Sequence, residues 1–130
     1  MTLQTEYKTA HKSKAELFTF LTQVENYKQI MPESMEQFET LSKESFLFQL
    51  KGMPQLKLEI KETHPDDKIV LGALSDKLPF TLTLDLNEKA QGQTDAQLTF
   101  EGQFNAMMSM MIKKPITNFI ETLAENISKL

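Results

Sequence analysis

The feature that most constrains this chain is a period of two that persists from about residue 35 to residue 104 and then stops. In SFLFQLK, Phe46, Phe48 and Leu50 fall on one face; in LKLEIKE, Leu56, Leu58 and Ile60 alternate with Lys57, Glu59 and Lys61. FTLTLDL sets Phe80, Leu82, Leu84 and Leu86 against Thr81, Thr83 and Asp85, and AQLTFEGQF sets Leu98, Phe100, Gly102 and Phe104 against Gln97, Thr99, Glu101 and Gln103. Phe38 and Thr40 begin the series, and IVLGALS (69–75) is a more uniformly apolar strand. Successive side chains on a strand point to opposite faces, so this pattern predicts antiparallel strands with one greasy face. HPDD (64–67) and NEKAQGQT (87–94) carry the turn residues that link such strands.

A sheet with one apolar face must bury it. The C-terminal segment supplies the cover: Ile116, Phe119, Ile120, Leu123, Ile127 and Leu130 recur at helical spacing. A helix from Ala106 onward spans roughly 35–40 Å at ~1.5 Å per residue, enough to cross the sheet. At the other end, LQTEYKTA (3–10) alternates as a seventh strand, with Leu3, Thr5, Tyr7 and Thr9 on one side. Ser13 and Glu16 then have capping-box spacing. Apolar residues from Leu17 to Met31, stopped by Pro32, predict two short helices or one broken helix over about 14–31. Gly72 and Gly102 fall inside strands, where glycine marks a bulge or bend, or the close approach of a ligand. The expected fold class is α+β: a curved seven-stranded antiparallel sheet around a long C-terminal helix, with 1–130 forming one domain.

The stretch FNAMMSMMIKKP (104–115) stands apart. Met108 and Ile112 extend the apolar stripe of the last helix, whereas Met107, Met110 and Met111 fall on roughly the opposite side. The first turns are therefore apolar nearly all round, which requires cover on two sides. Three roles are open for these methionines: filler beneath the 14–31 helices and loops, lining of a cavity between sheet and helix, or a face for a partner chain or membrane surface. Pro115 lacks an N–H for the carbonyl of Met111, so a kink near 111–115 or two helices meeting there is expected. Lys113 and Lys114 fit a cavity mouth or an ordinary solvated pair.

The order strand, paired short helices, six strands and long helix, together with NYKQIMPE (26–33) and FNAMMSMMIKKPITNFIETL (104–123), resembles the helix-grip fold of the START/Bet v 1-like (SRPBCC) superfamily. The resemblance lies in architecture and covers the whole chain. It implies binding of an apolar small molecule or lipid between sheet and helix. It also admits cyclases, dehydratases and quinone carriers. On this basis the expected ligand is lipid-like, quinone-like or polyketide-like, and the expected lining is Phe48, Leu58, Phe80, Leu82, Phe100, Phe104, Met108 and Ile112. Met107, Met110 and Met111 are the candidates for a partner interface, a homodimer among them.

Composition narrows the alternatives. Net charge is −4, and all fourteen cations are lysines, so neither a basic stripe nor a bidentate arginine clamp is available for nucleic acid or phosphate. There is no cysteine, and His11 and His64 stand alone without zinc-ligand spacing, so no metal or other cofactor is expected. No nucleotide-loop or nucleophile-elbow motif occurs. Asp85 and Glu101 lie on the polar face of their strands and would be acid or base candidates only if a bulge turned them inward. These observations lean away from an enzyme. No apolar run approaches the ~20 residues of a membrane span, and the first residues lack the apolar core of a signal peptide, so the expected location is cytoplasmic.

Overall fold

The computed structural model describes residues 1–74 and 79–130. The last residue of the IVLGALS segment, Ser75, lies outside the described residues. Among the described residues, eight strands form one antiparallel sheet: β1 (Thr2–Gln4), β2 (Lys8–Ala10), β3 (Met35–Thr40), β4 (Ser45–Leu50), β5 (Leu56–His64), β6 (Lys68–Ala73), β7 (Phe80–Ala90) and β8 (Gln93–Gly102). Their order is β1-β8-β7-β6-β5-β4-β3, with β2 also on β8. The sheet curves around α2 (Ala106–Ser128) in a helix-grip arrangement. Between β2 and β3 lie α1 (Lys14–Leu21) and a 3₁₀ helix (Val24–Ile30), so the segment over 14–31 is two short helices.

The expected single strand over 3–10 is interrupted. Leu3 faces Phe100 and Gln4 faces Thr99, but Lys8 faces Ala96. Three residues on one strand therefore oppose two on the other, which makes a bulge. An extra residue reverses the faces that follow it. Hence Thr5 and Ala10 are buried while Tyr7 is 46% exposed, contrary to the expected common face of Leu3, Thr5, Tyr7 and Thr9. Thr5 repairs the ladder itself: its N–H donates to the Leu98 carbonyl (2.9 Å), and its hydroxyl accepts from the Leu98 N–H (3.1 Å).

Local capping follows the sequence. Ser13 Oγ accepts from the Glu16 N–H at 3.1 Å and caps α1, and Asn105 Oδ1 accepts from the Met108 N–H at 2.8 Å and caps α2. α2 is continuous through Pro115, so two helices do not meet there. Ile116, Phe119 and Ile120, all buried just after the proline, hold that turn in place through tertiary packing.

The core sits between the inner face of the sheet, α2 and the two short helices. Tyr27 stacks on Phe46 (5.0 Å between centroids), Phe46 on Phe48 (6.0 Å) and Phe48 on Phe119 of α2 (5.1 Å). Tyr27 Oη donates to the Leu21 carbonyl at 2.8 Å, which satisfies the one polar atom in that stack. Asn126 Nδ2 donates to the Ile30 carbonyl at 2.8 Å and ties the end of α2 to the 3₁₀ helix.

Candidate functional site

The aromatic stack fills one end of the grip. At the other end, where α2 begins, the packing opens into a cavity of about 250 Å³. Phe80 from the start of β7, Phe100 from β8 and Phe104 from the strand-to-helix junction form one wall. Their rings follow one another at 5.0 Å (Phe80–Phe100) and 6.1 Å (Phe100–Phe104). Met108, Met111, Ile112, Pro115 and Ile116 of α2 form the opposite wall. The loop between β4 and β5, with Gly52, Met53 and Pro54, and Leu56 at the start of β5 close the third side. Gly52 takes the tight turn of that loop at φ +80°, a conformation glycine adopts without strain.

Of the eight residues expected as lining, the structure brings five together here: Phe80, Phe100, Phe104, Met108 and Ile112. Phe48, Leu58 and Leu82 are not among them. All three are buried in the packed core, and Phe48 is covered by Phe119. Met111, expected at a partner interface, also lines the cavity while remaining 66% exposed, so it stands at the mouth. Met107 and Met110 are 74% and 82% exposed, and the core-filler role does not hold for these three methionines. Among the described residues, no element crosses that side of α2.

Sequence reasoning missed Gly52, Met53, Pro54, Leu56, Pro115 and Ile116. The Gly-Met-Pro turn was the available signal, since a turn with an apolar residue at its centre needs something to pack on. The two strand glycines serve different ends. A Cβ on Gly72 would lie 2.6 Å from Lys61 Cγ, and Lys61 is the extra residue of a bulge between β5 and β6. Gly102 leaves room for the Phe104 ring.

Among the described residues, every one that lines the cavity is apolar. The ionisable groups singled out from the sequence lie elsewhere. Asp85 pairs with Lys68 (3.7 Å), and Glu101 borders a wider depression of about 630 Å³ with Thr2, Lys61 and Thr81. That hollow is larger, and its described lining mixes polar residues of the outer strand faces with Met1, Ala73, Pro79 and Phe80. His64 Nε2 lies 3.0 Å from Glu62 Oε2 with both side chains exposed, and His11 is exposed. Among the described residues, no three histidine or acidic side chains gather to hold a metal ion. Asp66–Asp67 forms a turn: Asp66 has φ +66°, and the Asp67 N–H donates to the His64 carbonyl at 2.9 Å. The Asp67 carboxylate also pairs with Lys14, which holds the carboxyl below its ordinary value and raises the Lys14 ammonium.

Comparison with known proteins places the fold. No protein-family model matches the chain, and no curated protein matches its sequence. Solved structures do. Norcoclaurine synthase from Thalictrum flavum superposes with a TM-score of 0.76 at 11% identity, over 99% of this chain and 86% of that one. The protein XoxI from Bacillus cereus gives 0.76 at 4% identity, over 98% and 93%. A protein from Thermus thermophilus gives 0.73 at 10% identity, over 99% and 95%. The chain has the Bet v 1-like helix-grip fold. At these identities the likeness extends to the fold alone.

Proposed function

We propose that this protein binds a small apolar or amphipathic molecule, lipid-like, quinone-like or polyketide-like, in the cavity between the Phe80–Phe100–Phe104 wall and the first turns of α2, without converting it. The observation that carries this reading is the uniformly apolar lining. Such a site gains affinity by removing apolar surface from water, at ~25 cal/mol per Å². The volume of about 250 Å³ lies just below the usual range for enclosed ligands, roughly 300–1,000 Å³. The ligand is therefore compact, or part of it emerges past Met111. Methionine side chains at the mouth suit a varied occupant, because the thioether chain adopts many shapes at low cost.

A cyclase or dehydratase would need a proton donor or acceptor at the ligand. Among the described residues the cavity walls offer none, and Asp85 and Glu101 sit on the other side of the sheet. One of the solved norcoclaurine synthase structures is a complex with dopamine and hydroxybenzaldehyde. It supports small aromatic compounds as members of a ligand panel.

The test combines native mass spectrometry of gently purified protein with thermal shifts across lipids, quinones and small aromatics. A co-purified mass, or a raised unfolding temperature that Phe104→Ala diminishes, is expected. Only bare protein and no shift with any compound would overturn the reading.

A further inference from the structure

We propose that the exposed methionine ridge at the start of α2 docks on an anionic lipid surface, with the cavity mouth turned toward the membrane. Met107, Met110 and Met111 are three large apolar side chains on adjacent turns, each more exposed than any other large apolar residue described. At 3.6 residues per turn they and Lys114 fall within an arc of ~100°. The next turn is cationic, with Lys113 and Lys114 both exposed. Across the mouth, the turn holding exposed Lys51 and half-buried Met53 lies beside Pro115.

Charge decides between possible occupants. The two segments that frame the mouth, 45–58 and 103–120, contain not one acidic residue; Lys51, Lys113 and Lys114 stand beside it, and Lys57 lies on the opposite face of β5 from Leu56. All eighteen acids of this net-negative chain lie outside them. At physiological ionic strength charges are screened over ~8 Å, so the local patch, not the net charge, governs contact with a surface. Apolar residues bordered by lysines, with no acids between, fit the boundary between anionic headgroups and acyl chains, where lysine stems lie along the apolar layer and their ammonium groups reach outward. A second copy docked through the same patch would instead set like charges together. No helix among the described residues is long and apolar enough to cross a membrane, so the contact is peripheral. Met111 belongs to both the ridge and the cavity lining, which joins the docked surface to the pocket by a continuous apolar path.

Vesicle flotation tests this with the full chain, using phosphatidylcholine alone and phosphatidylcholine mixed with phosphatidylglycerol, at low and high salt. The protein is expected to float with the anionic vesicles only, and less at high salt. Lys113→Gln with Lys114→Gln should weaken binding about thirtyfold, from ~1 kcal/mol per lysine near such a surface. Met107→Asp with Met110→Asp should abolish flotation while circular dichroism and unfolding temperature stay native, since both side chains project into solvent. Absence of flotation with either vesicle would overturn the proposal. Flotation that survives the methionine changes would do so as well. A lipid-free dimer that Met110→Asp dissolves, together with no vesicle binding, would assign the ridge to self-association instead. Ligand shifts are measured without vesicles, so the cavity reading can fail while docking stands, and the reverse.

Discussion

The ring of Phe104 occupies the space that a side chain on Gly102 would fill: a Cβ there would stand 2.4 Å from Phe104 Cε2 and 3.1 Å from Phe80 Cβ. One absent methyl thus lets the chain fold back on itself at the end of β8 and places Phe104 in the cavity wall. Gly102→Val should push the ring aside and deform that wall. The fluorescence enhancement of anilinonaphthalene sulfonate, as a probe of the cavity, should fall markedly relative to the parent protein. An unchanged titration would mean that the wall does not depend on this contact.

Phe48 and Phe104 are both inward aromatics, but only Phe48 is enclosed on all sides. Phe48→Ala should cost ~3–5 kcal/mol, the usual penalty for emptying an aromatic site in a packed core. Phe104→Ala should cost clearly less, because its ring already borders a void and is partly exposed. Urea denaturation of the two variants, fitted with a common slope, measures the difference.

Burial pushes the Tyr27 phenol upward from its ordinary value near 10, because the phenolate would have to exist inside the core. The folded protein keeps this proton at a pH where the unfolded chain has released it. Stability therefore falls as pH rises beyond about 10. Tyr27→Phe should flatten that alkaline slope. At neutral pH the same change should cost ~1 kcal/mol through loss of the hydrogen bond to the Leu21 carbonyl. Thermal unfolding at neutral and alkaline pH, compared between the two proteins, reads both effects.

The Lys14–Asp67 pair joins the first turn of α1 to the turn between β5 and β6. The hydrogen bond from Lys14 is the largest influence on the Asp67 carboxyl and lowers it from 3.8. Its contribution is present above that ordinary value and is lost as pH falls through the lower folded one. In Lys14→Ala, the carboxyl resonance of Asp67 should titrate at higher pH than in the parent. Equal midpoints would show that the pair is not formed in solution.

Much of the architecture was legible because each element carries its own period. Alternation fixed the strands from Met35 to Gly102, the Ile116–Leu130 stripe identified α2, and Ser13 with Glu16 marked the start of α1. The bulge between Gln4 and Lys8 was not legible, because TEYKT alternates without interruption; the extra residue shows only when counted against Gln97 and Leu98 of the partner strand.

The cavity divides along the same line. Phe48 and Phe80 have identical standing in the alternation, and both point inward. What separates them is the opposing element: Phe119 lies 5.1 Å from Phe48, whereas Phe80 borders a gap between β7, β8 and the first turns of α2. The sequence by itself determined which face of each strand and helix is apolar, since that follows from the pitch of the backbone. Only the tertiary structure decided which of those residues meet a partner, which enclose space and which, like Met110, face outward. Those outcomes depend on sheet curvature and on how far α2 reaches, and neither is written in the period of any single element.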